Sequence, residues 1–148
     1  MSQDDGKAID VQIYTIGYGG RSPDEFLEFL KARAIRAVVD VRLRPDRSAM
    51  GIYARAKDPS KGIEHMLAGA GIQYFSFVEM GNLFLDLPDW AERYRRMLDL
   101  AGDLLTERLG QVPEPFCLLC AEKKAAECHR KLVGDFLAAR GHQVEHIE

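Results

Sequence analysis

An α/β fold built on one mostly parallel sheet is what this chain predicts, on three observations. Short apolar runs beginning near Val11, Ala37, Ile72, Phe116 and Gln143 alternate with stretches of helical periodicity, the pattern of βα units. Two of those runs, Ala37-Val38-Val39-Asp40-Val41 and Phe116 to Ala121, are nearly continuous in apolar character, as strands covered on both faces are. The length, 148 residues with 47% hydrophobic, suits one compact domain around a single sheet.

Taken in order, Met1 to Asp10 is polar and reads as a loose tail, leaving 11–148 as one domain. Val11 to Gly17 is the first strand, ending in Gly17-Tyr18-Gly19-Gly20-Arg21. Ser22-Pro23-Asp24-Glu25 then opens a helix, with Ser22 as N-cap, Pro23 at the first helical position and Glu25 completing a capping box. Phe26, Leu27, Phe29 and Leu30 give that helix its inner face. The second strand, Ala37–Val41, is followed by an aperiodic loop from Arg44 to Asp58. Loops of that length in small domains are usually functional or mobile.

Ser60 to Ala70 reads as a helix closed by Gly71, and Ile72 to Val78 as a strand of aromatic and β-branched residues. Asp89 is placed to cap a long helix to about Leu109, with Tyr94, Met97, Leu98, Leu100, Ala101, Leu104 and Leu105 as its core stripe. Phe116–Ala121 is the fourth strand, Ala125–Arg140 the last helix, and Gln143–Ile147 a final edge strand. The strands starting at Val11, Ala37 and Phe116 are the interior ones by composition. The expected architecture is therefore a three-layer sandwich with a Rossmann-like order 3-2-1-4-5. A flavodoxin-like 2-1-3-4-5 is the alternative, which places the Ala37 strand at an edge.

The formal net charge is -3, so the whole molecule is not built as a polyanion binder. No apolar run approaches a membrane span or a signal core, and a cytoplasmic protein without membrane contact is expected. Cys117, Cys120 and Cys128 are an odd, clustered set, which is no disulfide framework and reads as reduced thiols.

Chemistry-bearing residues gather in Thr15-Ile16-Gly17, Val39-Asp40-Val41-Arg42, Glu79-Met80-Gly81, Leu119-Cys120-Ala121-Glu122 and Cys128-His129-Arg130. In these motifs and their order the chain resembles the bacterial and archaeal domain-of-unknown-function family 488, from about Ile13 to Ile147. Cys-Ala-Glu with the following Cys-His-Arg is the most specific part. Many members carry His-Ser after the first strand, where this chain has Tyr18-Gly19. The resemblance implies an α/β fold and a shared motif set, and no reaction.

Ligands of open α/β sheets bind at the carboxyl ends of strands where the winding reverses. That edge should carry Gly17, Tyr18, Arg21, Asp40, Arg42, Arg44, Glu79, Cys128 and Arg130 as ligand-binding residues, and Cys120, Glu122 and His129 as the chemical group. Cys120 is expected just before a helix N-terminus, which lowers a thiol pKa, with His129 as a base. The glycines after the first strand are placed to cradle a phosphate on backbone N–H groups. Stepping back four residues from Leu132 and Val133, which face the sheet, gives Cys128 and His129 on the same face. Arg130 is rotated off that face, toward Glu122 or solvent.

The reading is a protein that binds a phosphorylated or nucleotide-like ligand at this edge, with Cys120, Glu122 and His129 available for catalysis. One alternative is a binding module for nucleic acid or another anion, using Arg42, Arg44, Arg47, Arg55, Lys57 and Lys61 of the basic loop 42–61. Another is a thiolate–imidazole metal site on Cys120, Cys128 and His129, for which no fourth ligand is evident. The sequence specifies no cofactor and no oligomeric state.

Overall fold

The computed structural model describes residues 12–148; the expected tail at residues 1–10 lies outside them. Five strands, β1 (Ile13–Gly17), β2 (Ala37–Asp40), β3 (Gln73–Ser76), β4 (Phe116–Cys120) and β5 (Val144–Ile147), form one sheet. Four helices accompany them: α1 (Pro23–Ala32), α2 (Gly62–Gly69), α3 (Trp90–Leu105) and α4 (His129–Ala139). Every strand pair is parallel.

Alternating side chains of the sheet serve two cores. Val38, Ile16, Cys117 and Leu119 pack with Phe26 and Leu30 of α1 and Ile63 and Leu67 of α2. Ile13, Val39, Phe116 and Leu118 pack with Tyr94 and Leu98 of α3 and Val133 and Leu137 of α4. Cys117 is buried in the first core, where burial pushes its thiol pKa well above the ordinary value. The helix start at Ser22 is as the sequence dictates, with both hydrogen bonds of the capping box formed.

The strand order is β3-β2-β4-β1-β5, which corrects both expected orders. The edges, β3 and β5, are the two composition marks as edges, and β1, β2 and β4 are interior. However, β4 sits between β1 and β2, with Leu118 level with Thr15 on one side and Val39 on the other. All five residues of β4 are buried, so the most apolar strand takes the sheet centre. The first two crossovers run one way with α1 and α2 on one face. The last two run back with α3 and α4 on the other, as right-handed connections require.

Two helices depart from expectation. In α3 the buried positions are Tyr94, Leu98 and Gly102, a narrow stripe with a spacing of four. Leu100 and Leu104 are 82% and 72% exposed, off that buried stripe. A Cβ at Gly102 would stand 2.4 Å from the Phe136 ring of α4, so the glycine sets the close approach of these two helices. The last helix starts at His129 and not near Ala125. Lys124 and Cys128 are extended, with only a single 3-10 turn at Ala125–Glu127 between them. The Cys128 side chain is the N-cap, accepting from the Arg130 N–H. Asp89 precedes α3 without a capping bond of its own and instead pairs with Arg93.

Candidate functional site

A cleft of about 420 Å³ opens at the carboxyl ends of β1, β2 and β4, lined by Tyr18, Arg42, Leu43, Arg44, Arg47, Asn82, Leu83, Leu85, Asp86, Cys120, Ala121, Glu122 and His129. Five separate chain segments supply it: the ends of β1, β2 and β4 with the loops that follow, the loop beyond β3, and the first residue of α4. An apolar groove along α3, lined by Phe84, Met97, Leu100 and Ala101 among others, gathers none of the thiols or histidines.

The wall formed by β2 begins with Asp40, which is fully buried. Its carboxylate accepts hydrogen bonds from Arg42 Nε at 2.8 Å, Arg42 Nη2 at 2.6 Å, the Arg42 backbone N–H at 3.1 Å and the Tyr74 hydroxyl at 2.6 Å. Arg42 Nη2 also donates to the Tyr53 carbonyl. Burial works against the Arg42 charge, and the Asp40 bonds and carboxylate outweigh it, so the guanidinium pKa stands above its ordinary value. Burial, reinforced by the Asp40 charge, pushes the Tyr74 phenol up. Asp40 is thus the anchor of Arg42 and makes no part of the cleft surface.

This anchoring leaves Arg42 Nη1 buried and without a hydrogen-bond partner. Asn82 is the second such group. Its Oδ1 accepts from the Phe84 N–H at 2.9 Å, while its Nδ2, also buried, has no partner. Asn82 reaches the site because the loop after β3 packs hard on the loop after β2: a Cβ at Gly81 would stand 2.7 Å from Leu43 Cα. Asn82 is absent from the residues expected at this edge, although it directly follows the Glu79-Met80-Gly81 motif. The signal was the invitation of a glycine to close backbone approach.

His129 is buried, and its Nε2 lies 2.9 Å from the Val41 carbonyl oxygen. A carbonyl can only accept, so Nε2 carries the proton and Nδ1 the lone pair. Burial lowers the His129 pKa against the opposing effect of that bond, and the ring is neutral at pH 7. Nδ1 faces Cys128 Sγ at 3.6 Å, and the Tyr94 ring packs edge-on to the imidazole. The Sγ atoms of Cys120 and Cys128 are in direct contact, paired as a disulfide, with their Cα atoms 7.3 Å apart. Cys120, Cys128 and Glu122 bring their ligand atoms within 4.8 Å of one another.

Several expected site residues serve the frame. Cys120 does not precede a helix; the loop 121–128 intervenes, and the thiol at the helix start is that of Cys128. Arg130 is fully buried and not turned to solvent. Its Nη1 donates to Thr15 Oγ1, which in turn bonds His146 Nδ1, and its Nη2 donates to the carbonyls of Glu122 and Lys123. It ties α4 to β1, β5 and the loop after β4. Arg21 packs on the Phe29 ring and donates to the Gly17 and Glu148 carbonyls. Glu79 turns outward to pair with Arg108 at 2.8 Å.

Most N–H groups of the loop after β1 that could cradle a phosphate are already engaged. Tyr18 N–H donates to the Cys120 carbonyl, Gly19 N–H to that of Ala121 and Arg21 N–H to that of Tyr18. A Cβ at Gly17 would fall 1.6 Å from the Glu122 carbonyl oxygen. The loops after β1 and β4 lock together because β4 sits beside β1, and the open cleft falls on the β2 side. Tyr18 does reach it, stacked on Tyr53 at 4.5 Å, with the Arg42 guanidinium 5.2 Å from its ring. Of the basic loop, Arg42, Arg44 and Arg47 line the cleft, with Arg44 paired to Asp46, while Arg55 pairs with Glu64.

No described helix is long and apolar enough to cross a membrane. No curated protein and no solved structure matches the chain. The model of one family, described as a domain of unknown function, matches residues 22–137. That match covers more than half of the chain, and the chain belongs to the DUF488 family.

Proposed function

We propose that the cleft binds a small anionic ligand, of phosphorylated or nucleotide-like chemistry, through Arg42 and Asn82. One observation carries this reading: two buried N–H donors without a protein partner, Arg42 Nη1 and Asn82 Nδ2, belong to the wall of the same cleft. A buried donor left unpaired costs about 1–3 kcal/mol, so two in one site favour an occupant rich in acceptor oxygens. Arg44 and Arg47 add exposed positive charge at the rim, and Asp86 and Glu122 offer acceptors for hydroxyl groups of a sugar-like moiety. Tyr18 offers an aromatic face.

Catalysis by this site would rest on His129, whose Nδ1 lone pair is kept available by the Nε2–Val41 bond, with Cys120 and Glu122 beside the ligand. The nucleophile reading of Cys120 requires its thiol to be released from Cys128. The pairing of Arg44 with Asp46 and of Arg55 with Glu64 divides the charge of the basic loop and favours a small ligand over a nucleic-acid track.

The test is thermal shift with inorganic phosphate, nucleosides and mononucleotides, on the wild type and Asn82→Asp. The variant keeps the acceptor that holds Phe84 and replaces the free donor with a negative charge. A ligand at about 100 times its Kd stabilises by roughly 2.7 kcal/mol, and that stabilisation should vanish in the variant. A phosphate-bearing ligand that stabilises both proteins equally would place its binding elsewhere, and a panel with no stabilising member would remove the reading.

A further inference from the structure

We propose that Cys120, Cys128 and Glu122 form a binding site for a thiophilic divalent cation, zinc by preference, set in the wall of the cleft. The inference stands apart from the anion reading and does not need it. Two sulfurs and a carboxylate within 4.8 Å of one another are a donor set that soft, borderline cations take and that calcium and magnesium do not.

The backbone spacing is the second observation. Protein disulfides hold their Cα atoms about 4.4–6.8 Å apart, and those of Cys120 and Cys128 are 7.3 Å apart. Two thiolates bound to one zinc at about 2.3 Å sit roughly 3.8 Å from each other in tetrahedral geometry. That arrangement lengthens the bridge between the two Cβ atoms and suits the wider separation.

The surroundings fit thiolates. The Arg130 N–H donates to Cys128 Sγ at 3.4 Å, and Cys128 caps the N-terminus of α4, where the helix dipole favours negative charge. His129 is not a ligand in this arrangement. Its Nε2 is engaged by Val41, and its Nδ1, which carries the lone pair, lies 3.6 Å from Cys128 Sγ and has no proton to donate to it. Glu122 takes the place that the sequence had assigned to the imidazole.

The paired sulfurs are first reduced to two thiols, with two electrons from a phosphine or thiol reductant and two protons from water, and metal binding itself then needs no redox step. Each thiol gives up a proton to solvent, two zinc–sulfur bonds and one zinc–oxygen bond form, and the site retains one net negative charge. Three protein ligands leave the fourth tetrahedral position free. Because Cys120 and Glu122 themselves line the cleft, that position opens toward it, the pattern of zinc sites that engage a ligand or water.

The experiment uses the full chain purified with a thiol-free reductant and no chelator. Metal analysis should find about one zinc per chain. Replacement by cobalt(II) should give sulfur-to-cobalt charge-transfer bands in the near ultraviolet together with tetrahedral visible bands. Cys120→Ser and Cys128→Ser should lose the metal. Since either may fold poorly, Glu122→Gln provides the second arm: it should keep the charge-transfer bands, alter the visible ones and weaken zinc by at least about tenfold. A chain free of metal and lighter by two hydrogens than the dithiol, with neither Cys120 nor Cys128 open to alkylation, would overturn the proposal in favour of a disulfide. Metal retained by Cys128→Ser, or cobalt spectra unchanged by Glu122→Gln, would overturn it as well.

Discussion

Removing the charge of Asp40 should be among the most damaging single changes this protein can take. The carboxylate is fully buried and accepts four hydrogen bonds, three of them from Arg42, whose side chain is only 8% exposed. Asn in its place preserves volume but offers one acceptor oxygen and two N–H donors to a ring of donors. Arg42 is then left without its counterion while still largely buried. Breaking a buried pair on one side costs about 3–5 kcal/mol. A domain of this size loses roughly 2–4 °C of Tm per kcal/mol, so the expected loss is on the order of 6–20 °C. Urea unfolding should show the midpoint falling with its slope unchanged. The double change Asp40→Leu with Arg42→Met should recover part of the loss, since matched apolar groups replace buried ion pairs at little cost. A cost below about 1 kcal/mol for Asp40→Asn would show that Arg42 escapes into the cleft and is not held by Asp40, removing the basis for its fixed, unpaired Nη1.

Other changes probe other parts of the frame. Gly17→Ala places a methyl group against the Glu122 carbonyl and should cost at least 3 kcal/mol by the upper end of overpacking penalties, about 1–3 kcal/mol; soluble yield and Tm report it, and a neutral result would mean the two loops part easily. Leu100→Lys with Leu104→Lys should shift stability by no more than about 0.5 kcal/mol per site, measured by urea midpoint, since both side chains are exposed. His129 has its pKa lowered by burial, so it contributes stability that is fully present above the unfolded value near 6.5 and is lost as pH falls below it toward the folded value. Urea midpoints at pH 7.5 and 5.5 should therefore diverge less in His129→Gln than in the wild type; an unchanged difference would assign the slope to other groups, the similarly lowered His146 first among them. In the native, reduced protein, Cys117 should resist alkylation until unfolding, because burial raises its thiol pKa; rapid labelling followed by peptide mass analysis would contradict its place in the core.

Much of the fold was legible because the period of the hydrophobic pattern reports burial residue by residue. It marked β2 and β4 as covered on both faces and β3 and β5 as edges, and the Ser22–Glu25 box fixed the start of α1. Strand order was not legible. Burial separates interior strands from edges but is indifferent to how β1, β2 and β4 permute among themselves. The site was half legible for a related reason. Stepping back one turn from Leu132 and Val133 placed Cys128 and His129 against the sheet, where His129 meets Val41. The same geometry turned Arg130 outward, yet the long side chain bends back to Thr15 and the carbonyls of Glu122 and Lys123, acceptors that exist only once the loop after β4 is folded. Glu79 and Asn82 lie three residues apart after β3, and no pattern in the sequence says that one faces Arg108 and the other the cleft.

The central place of β4 bears on how the chain comes together during synthesis. β1 pairs only with β4 and β5, both encoded in the last third of the chain. Among the described strands, β1 therefore has no hydrogen-bonding neighbour until Phe116 and the residues after it have been made. β2 and β3 can pair early as an isolated ribbon, too small to be stable alone. Contacts between such distant parts of a chain slow folding, and here they also make it nearly all-or-none: the sheet cannot grow outward from its first strand and must close around a late insertion. A nascent chain halted before β4 should be open to protease along its whole released length, and one halted after β5 has emerged should not.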